Sequence, residues 1–510
     1  MKKIFTAILA ISLSGTVFIS IVKEHEKRED ETGHADEAFE WWYSQRALPE
    51  KTIQPDGIAK AFEYTQRTML AMKKSLSEEP WQSIGPDNVG GRVLSLAIDP
   101  DSSNIIWAGS AGGGLWRSRT GGVGAQAWEY VNTGFYVLAV GTIAINPLNA
   151  NEMYIGMGEI SGYNLGQVGT PGARTTYGGG IVKSMDRGKT WQVTGLNFLF
   201  SQNRSVQKIV INPKNPKTIF AATSEGTYRS YDAGTTFVRV HDTLMAMDVA
   251  INSADTTIVY AACGQRNTAP NPGLYRSLNG GNSFTKLTVG LPAVDFGRTS
   301  IAISPSSPST VFVSISNAST HNLDGLYRTT NNGDIWEKMD TTNYLNGQGW
   351  YNNICIVHPT NPSIVYGAGL DIYKSVAGGS SLTQKSFWYK GLKGVIPPGG
   401  KEGSDNSYAH ADHHAMVIDP INSNRMFFGS DGGVFESTDG GETFIGRNGG
   451  FITAQFYNGF ANAMTDSLIA LGGLQDNGAV KWEGKNSWNK VYGGDGGFRD
   501  NRSCKQKCHV

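Results

Sequence analysis

Short apolar runs closed by turn residues repeat along the chain. They read SLAIDP (95–100), TIAINP (142–147), KIVINP (208–213), DVAINS (248–253), SIAISP (300–305), ICIVHP (354–359) and AMVIDP (415–420). Each is followed by a second run, such as NIIWAGS, KTIFAAT or RMFFGSD, and then by a third, such as GGLWRS, GTYRS or GVFES. Runs this short, rich in β-branched and aromatic residues and bounded by Gly, Pro, Asn and Asp, predict strands. A turn pattern, Ser/Thr-x-Asp/Asn-x-Gly-x-Thr/Ser-aromatic, keeps step with them. It stands as SMDRGKTW (184–191), SYDAGTTF (230–237), SLNGGNSF (277–284), TTNNGDIW (329–336) and STDGGETF (437–444), with degenerate copies SRTGG (118–122) and SVAGG (375–379). Most registers lie about 46 to 52 residues apart, the length of a four-stranded module.

Seven units with one internal order predict an all-β chain: a β-propeller of four-stranded blades, seven in number, over 80–455. Stacking small twisted sheets radially buries both faces of each and leaves only short edges. An eighth partial unit, or a set of closing strands, is expected over 456–497, and an unstructured tail over 498–510. Before the repeats, 34–79 is helix-periodic, broken near Pro49 and Pro55, with Trp41, Trp42, Phe62 and Met69 as candidates to pack on the propeller. Lys2-Lys3 and the apolar run to about Val22 read as a signal peptide or an N-terminal anchor over 1–22. The body is therefore expected to be exported: secreted, periplasmic or at the surface of a bacterium.

Composition narrows the function. Among 510 residues, 64 are Gly and only 17% are charged, which suits tight turns between strands. Lys plus Arg equals Asp plus Glu at 44 each, so no basic excess exists to neutralise phosphates, and nucleic acid is set aside. Nothing beyond the N-terminal run is apolar enough to span a membrane, and a monomer is expected. Four cysteines are too few for a disulfide framework. Cys263 and Cys355 read as buried thiols, and Cys504, Cys508 and His509 as a weak metal signal. No cofactor is required.

The turn pattern, with WQSIGPDNVGGRV (81–93), GMGE (156–159), HADHHAMVIDP (410–420), GSDGGVFES (429–437), GGLQDNG (472–478) and GGDGG (493–497), resembles the Asp-box (bacterial neuraminidase repeat) propellers. It is most similar to bacterial exported sortilin-like and xyloglucanase-like propeller proteins. The resemblance implies the propeller fold and a carbohydrate-related or protein-binding role. Xyloglucanase-type hydrolases carry an acid before the glycines of the first blade, where this chain has Ala111, and take a second carboxylate from a second propeller. Sialidases need an arginine triad, for which only Arg92 and Arg298 are candidates.

Two functions follow as expectations: a non-catalytic scaffold binding a polysaccharide or protein ligand, or a glycoside hydrolase with an acid/base pair. Catalytic candidates are Asp412, Asp431, Asp476 and Asp495; these and Asp371 sit in or beside Gly-flanked turns or the histidine cluster. Ligand-binding candidates are Glu159, Tyr163, Arg174 and Tyr177 around the insertion 160–179, and the aromatics Trp350 and Trp388. In an extended segment His410, Asp412 and His414 share one face, as three ligands of a divalent metal would; a hydrogen-bonded plug of the channel is the other reading. The box residues Asp186, Asp232, Asn279, Asn331 and Asp439 are expected to be structural, closing their turns by side-chain to backbone bonds.

Overall fold

The computed structural model describes residues 56–72, 82–160, 178–265, 269–391, 405–463 and 466–496, with positions 44, 47–49 and 54. Met1–Gln54 with Gly169–Gly172 form one compact unit, described only at those isolated positions; the rest of the chain forms the other. The expectations for 1–22, for Trp41 and Trp42, for Tyr163, Arg174 and Tyr177, and for Cys504, Cys508 and His509 lie outside the described residues. In the larger unit, Gly57–Met72 is the predicted helix, and Phe62 meets Tyr136 with ring centroids 6.0 Å apart. Among the described residues no helix is long and apolar enough to cross a membrane.

The repeats form eight four-stranded antiparallel sheets, each strand hydrogen-bonded to the next in sequence. The first strands of sheets one to seven are Val93–Asp99, Val140–Ile145, Val206–Ile211, Ala246–Ile251, Phe296–Ile303, Ile354–Val357 and His413–Ile418. Each lies beside the next, and His413–Ile418 lies beside Val93–Asp99, so seven blades close a ring. Seven apolar cores show the same closure. One joins Ile155 to Trp107, another Phe312 to Val365, and the last joins Val93 and Ile106 of blade one to Phe427 and Val434 of blade seven. The segment after 455 departs from expectation. It is a complete four-stranded sheet, Phe456 to Tyr492, and it stands outside the ring. Its own core of Leu474, Val480 and Trp488 packs on Val89 of the strap that leads into blade one.

The box turns explain how the blades hold one another. In all seven the first Ser or Thr is buried and its hydroxyl accepts the N–H of the Gly four residues on, at 2.8–3.2 Å, from Ser118–Gly122 to Ser437–Gly441. The acid adds an outer pair of bonds. Asp186 takes the Thr190 N–H at 2.8 Å and its hydroxyl at 2.6 Å, and Asp232 and Asp439 repeat this with Thr236 and Thr443. Asn279 and Asn331 keep the backbone half of the arrangement, and the Asn279 amide also donates to the Ser283 hydroxyl at 2.8 Å. Thr120 and Ala377 lack it, and their turns still close on the hydroxyl.

Each clasp also seats on its neighbour. Gly188, at φ +77°, leaves only 2.6 Å between a hypothetical Cβ and Trp107 of the preceding blade, and Gly281 leaves 2.6 Å to Phe220. Only glycine lets the turn approach so closely. The carbonyl just before the box Gly receives a basic residue from the preceding blade: Lys183 to Ala233 at 3.1 Å, Arg229 to Gly280 at 2.6 Å, Lys374 to Gly440 at 2.8 Å. Blade seven has Glu436 at that position instead. It pairs with Arg425 and Arg447, and Arg425 donates to the Ser103 carbonyl of blade one at 2.8 Å. At the last seam the donor to the next blade's carbonyl is thus Arg425, held in place by Glu436.

Removing the shared bond should cost more than removing the variable one. We expect Ser184→Ala to lose about 1–3 kcal/mol, because the buried Gly188 N–H is left without an acceptor. Asp186→Asn should lose clearly less, since an amide keeps the backbone bond. Urea denaturation of both variants measures this; equal losses would assign the clasp to the acid.

Candidate functional site

Strand direction sorts the candidates before any chemistry is considered. In an antiparallel blade the turn between strands one and two and the box turn lie on one face. The turn between strands two and three and the connection to the next blade lie on the other. Asp371, Asp431 and Asp476 occupy second-to-third-strand turns of blade six, blade seven and the eighth sheet. Trp350, Trp388 and the 410–412 segment lie in inter-blade connections, and Arg92 and His414 near the starts of first strands. All of them fall on the face opposite the boxes.

At the channel mouth a buried polar network replaces the apolar core. Arg92 pairs with Glu159 at 3.0 Å, with both side chains at most 5% exposed. Its other terminal nitrogen donates to the Tyr351 hydroxyl at 3.3 Å and to Gln475 Oε1 at 3.2 Å. Tyr351 donates to Asp431 Oδ2 at 2.6 Å, and His414 Nε2 meets Asp431 Oδ1 at 2.7 Å. Burial pushes the Asp431 carboxyl up, but His414, Arg92 and the Tyr351 hydroxyl outweigh it and hold the group below the usual carboxylate range. Burial pushes Glu159 up, with Arg92 acting against it. Burial also lowers Arg298 to about 10, although Asp248 and Glu159 lie close; its guanidinium donates to the Tyr351 carbonyl at 2.7 Å. A small cavity lined by Leu94, Gly141, Gly158, Glu159, Gln207, Arg298 and His414 opens beside this network.

Several expectations are revised by this geometry. Asp431 is 1% exposed, with one carboxylate oxygen engaged by Tyr351 and the other by His414. Glu159 is likewise buried and paired, not a surface contact for a sugar. His410, Asp412 and His414 do not share a face, because Asp412 has φ +64° and breaks the extended alternation. His410 reaches the Asp476 carbonyl at 3.1 Å, Asp412 accepts from Asn352 at 2.6 Å, and His414 meets Asp431. Among the described residues no three His, Cys, Asp or Glu side chains are placed to hold a metal ion. The segment is instead engaged in separate hydrogen bonds to the eighth sheet, the blade five to six connection and blade seven.

The remaining acids stay near solvent. Asp412 and Asp476 are half-buried and Asp495 is exposed. Asp495 Oδ1 accepts the Asp476 N–H at 3.2 Å while its other oxygen takes the Tyr457 hydroxyl at 2.6 Å. Trp350 is half-buried, its carbonyl receiving Gln265 at 3.1 Å, whereas Trp388 is 38% exposed beside the exposed Tyr389. That aromatic turn is anchored by Asp371, which accepts Trp388 N–H, Ser386 hydroxyl and Gln384 amide at 2.9–3.0 Å. Ala111 is buried in the matching turn of blade one, its N–H on the Arg92 carbonyl at 3.0 Å.

The sequence reading missed Tyr351 as the bridge and Gln475 and Asn477 as partners, and it set Arg92 and Arg298 aside. A signal for the basic pair existed. Arg92, Arg298 and His414 each stand one to three residues ahead of the apolar run of a first strand.

Fold and site together define a seven-bladed propeller with an added sheet that completes a carboxylate-bearing face. No family profile matches the chain. It is 22% identical over 401 residues to a xyloglucanase of Paenibacillus sp, covering 73% of this chain and 33% of that protein. It is 23% identical over 271 residues to a xyloglucanase of Acetivibrio thermocellus, covering 51% and 27%. The chain thus spans about a third of the length of these curated relatives. Among solved structures, the GH74 xyloglucanase from Xanthomonas campestris superposes with a TM-score of 0.57 at 15% identity, covering 81% of this chain and 62% of that one. An ancestral GH74 enzyme gives 0.56 at 16%, covering 81% and 56%. At these identities the superpositions establish the fold.

Asp371 offers a direct test of the site's electrostatics. Burial raises its carboxyl to about 6, although three donors favour the anion. A raised acid binds its proton more tightly folded than unfolded, so its contribution favours the fold below about 4 and is lost as pH rises through 6. We expect Asp371→Asn, relative to the parent, to gain on the order of 2 kcal/mol between pH 4 and pH 7. Denaturation at the two pH values reads this; a pH-independent difference would show an ordinary carboxylate.

Proposed function

We propose that this chain is a polysaccharide-directed protein of the glycoside hydrolase type, acting on a xyloglucan-like β-glucan outside the cytoplasm. The carrying observation is the face itself. Asp412 of the blade six to seven connection and Asp476 and Asp495 of the eighth sheet lie on one face, to which the same connection contributes Trp388. The xyloglucanase likeness over most of the ring supports the same reading, as does the Asp-box turn pattern.

Hydrolysis of a glycosidic bond needs one carboxyl to protonate the leaving oxygen and a second to activate water or attack the sugar. With Asp431 committed to His414 and Tyr351, the pair is drawn from Asp412, Asp476 and Asp495. No metal is needed for that chemistry. One observation favours the second reading, a scaffold that holds glycan without cleaving it: Ala111 stands where the resemblance implies an acid in the first blade.

Reducing-end release from xyloglucan, with and without chelator, tests the first reading. We expect chelator-independent turnover that falls by about a hundredfold or more in Asp476→Asn or Asp495→Asn. Binding on affinity gels without turnover would hand the function to the scaffold, and neither binding nor turnover would end the glycan reading.

A further inference from the structure

The eighth sheet does not add a blade to the ring, yet its turn Gln475–Asn477 is held to the ring by three hydrogen bonds from different elements. Arg92 of the strap donates to Gln475 Oε1 at 3.2 Å. His410 of the blade six to seven connection reaches the Asp476 carbonyl at 3.1 Å, and Asn477 donates to the Asp431 carbonyl at 2.9 Å. Within the sheet itself, the Gln475 N–H takes the carbonyl of Gln455, next to Phe456, at 2.8 Å. From its own sheet, Asp495 accepts the Asp476 N–H at 3.2 Å. Asp476 itself sits at φ +57°. That left-handed backbone is one that Asp tolerates in a tight turn.

Structural need alone does not account for this investment. A turn that merely closes a hairpin requires no bond to a fully buried ion pair 383 residues away in sequence. Arg92 is the one group here that touches Glu159, Tyr351 and the turn together. Its guanidinium is fixed on the ring side by a carboxylate and a phenol, so Gln475 inherits a rigid anchor. Asp476 remains half-buried, with its Oδ2 enclosed, in a turn on the face opposite the boxes and within electrostatic reach of Arg92 and Tyr351.

We infer that the Gln475–Asn477 turn is the part of this face that meets the glycan, with Asp476 as the contacting acid and Arg92 as the residue that positions it through Gln475. This rests on the glycan reading above. The arrangement makes the site composite: the ring supplies the anchor and the eighth sheet supplies the acid.

Because Arg92 is buried in an ion pair, replacing it endangers the fold; Gln475→Leu cuts the link and leaves Arg92 on Glu159 and Tyr351. We expect Gln475→Leu to unfold cooperatively like the parent while the amides of 474–478 exchange about tenfold faster or more. Turnover of xyloglucan should fall about tenfold or more in kcat with KM little changed, since a displaced acid loses alignment and not glycan affinity. Gln475→Glu, which still accepts from Arg92, should restore both. Unchanged exchange in Gln475→Leu would overturn the positioning role whether or not the parent cleaves glucan. Faster exchange with parental kcat would overturn the assignment of Asp476, and a parent inert toward every glucan would remove the glycan reading on which it rests.

Discussion

The fold depends on one repeated contact: a turn clasped by a buried hydroxyl, pressed glycine-first onto an aromatic ring of the blade before it. Each half needs the other. The hydroxyl to N–H bond sets the left-handed backbone that exposes the carbonyl, and the carbonyl then takes the neighbour's Lys or Arg. Burial of a side chain such as Trp107 or Tyr154 contributes on the order of 2–3 kcal/mol, more than any one of the hydrogen bonds beside it. The polar bonds therefore fix geometry, and the apolar burial supplies most of the cohesion. Repetition does the rest, because each core is shared by two blades and none is complete within one.

That division leaves the opposite face free. With cohesion concentrated between blades and at the box turns, the second-to-third-strand turns and the inter-blade connections carry no part of the clasp. They accommodate residues that a core would exclude. Arg92, Glu159, Tyr351, Asp431 and His414 form a network in which each buried charge has a partner, as burial of charge requires. The network stiffens the mouth of the channel and gives the eighth sheet something fixed to hold.

Position in the ring also explains why the acids differ. Asp431 and Asp476 occupy equivalent turns, and in sequence both are an acid next to glycine or asparagine. Asp431 is enclosed by Tyr351 and His414 and kept ionised, whereas Asp476 is carried on a sheet outside the ring and keeps a solvent-facing side. Asp371, in the same turn of blade six, is enclosed without a cation and is driven up to about 6. Three similar turns thus acquire three electrostatic characters from their neighbours alone.

The repeat was legible in the residues because its causes are local: strand periodicity, turn glycines and the hydroxyl four positions ahead of each Gly are all encoded within one unit. The structural role of Asp186, Asp232 and Asp439 followed from the same short-range bonds. Three things were not local and could not be read. The eighth unit looked incomplete because it lacks a box, yet it forms a full sheet on a core shared with Val89, nearly 400 residues earlier. The histidine segment looked like a ligand set because alternation was assumed, and the positive φ at Asp412 arises from packing between blades. Tyr351 carried no motif at all. Its role comes from Arg92 and Asp431, at the two ends of the seven-blade repeat, converging on it where blades one and seven meet, and only closure brings together charges whose burial demands a partner.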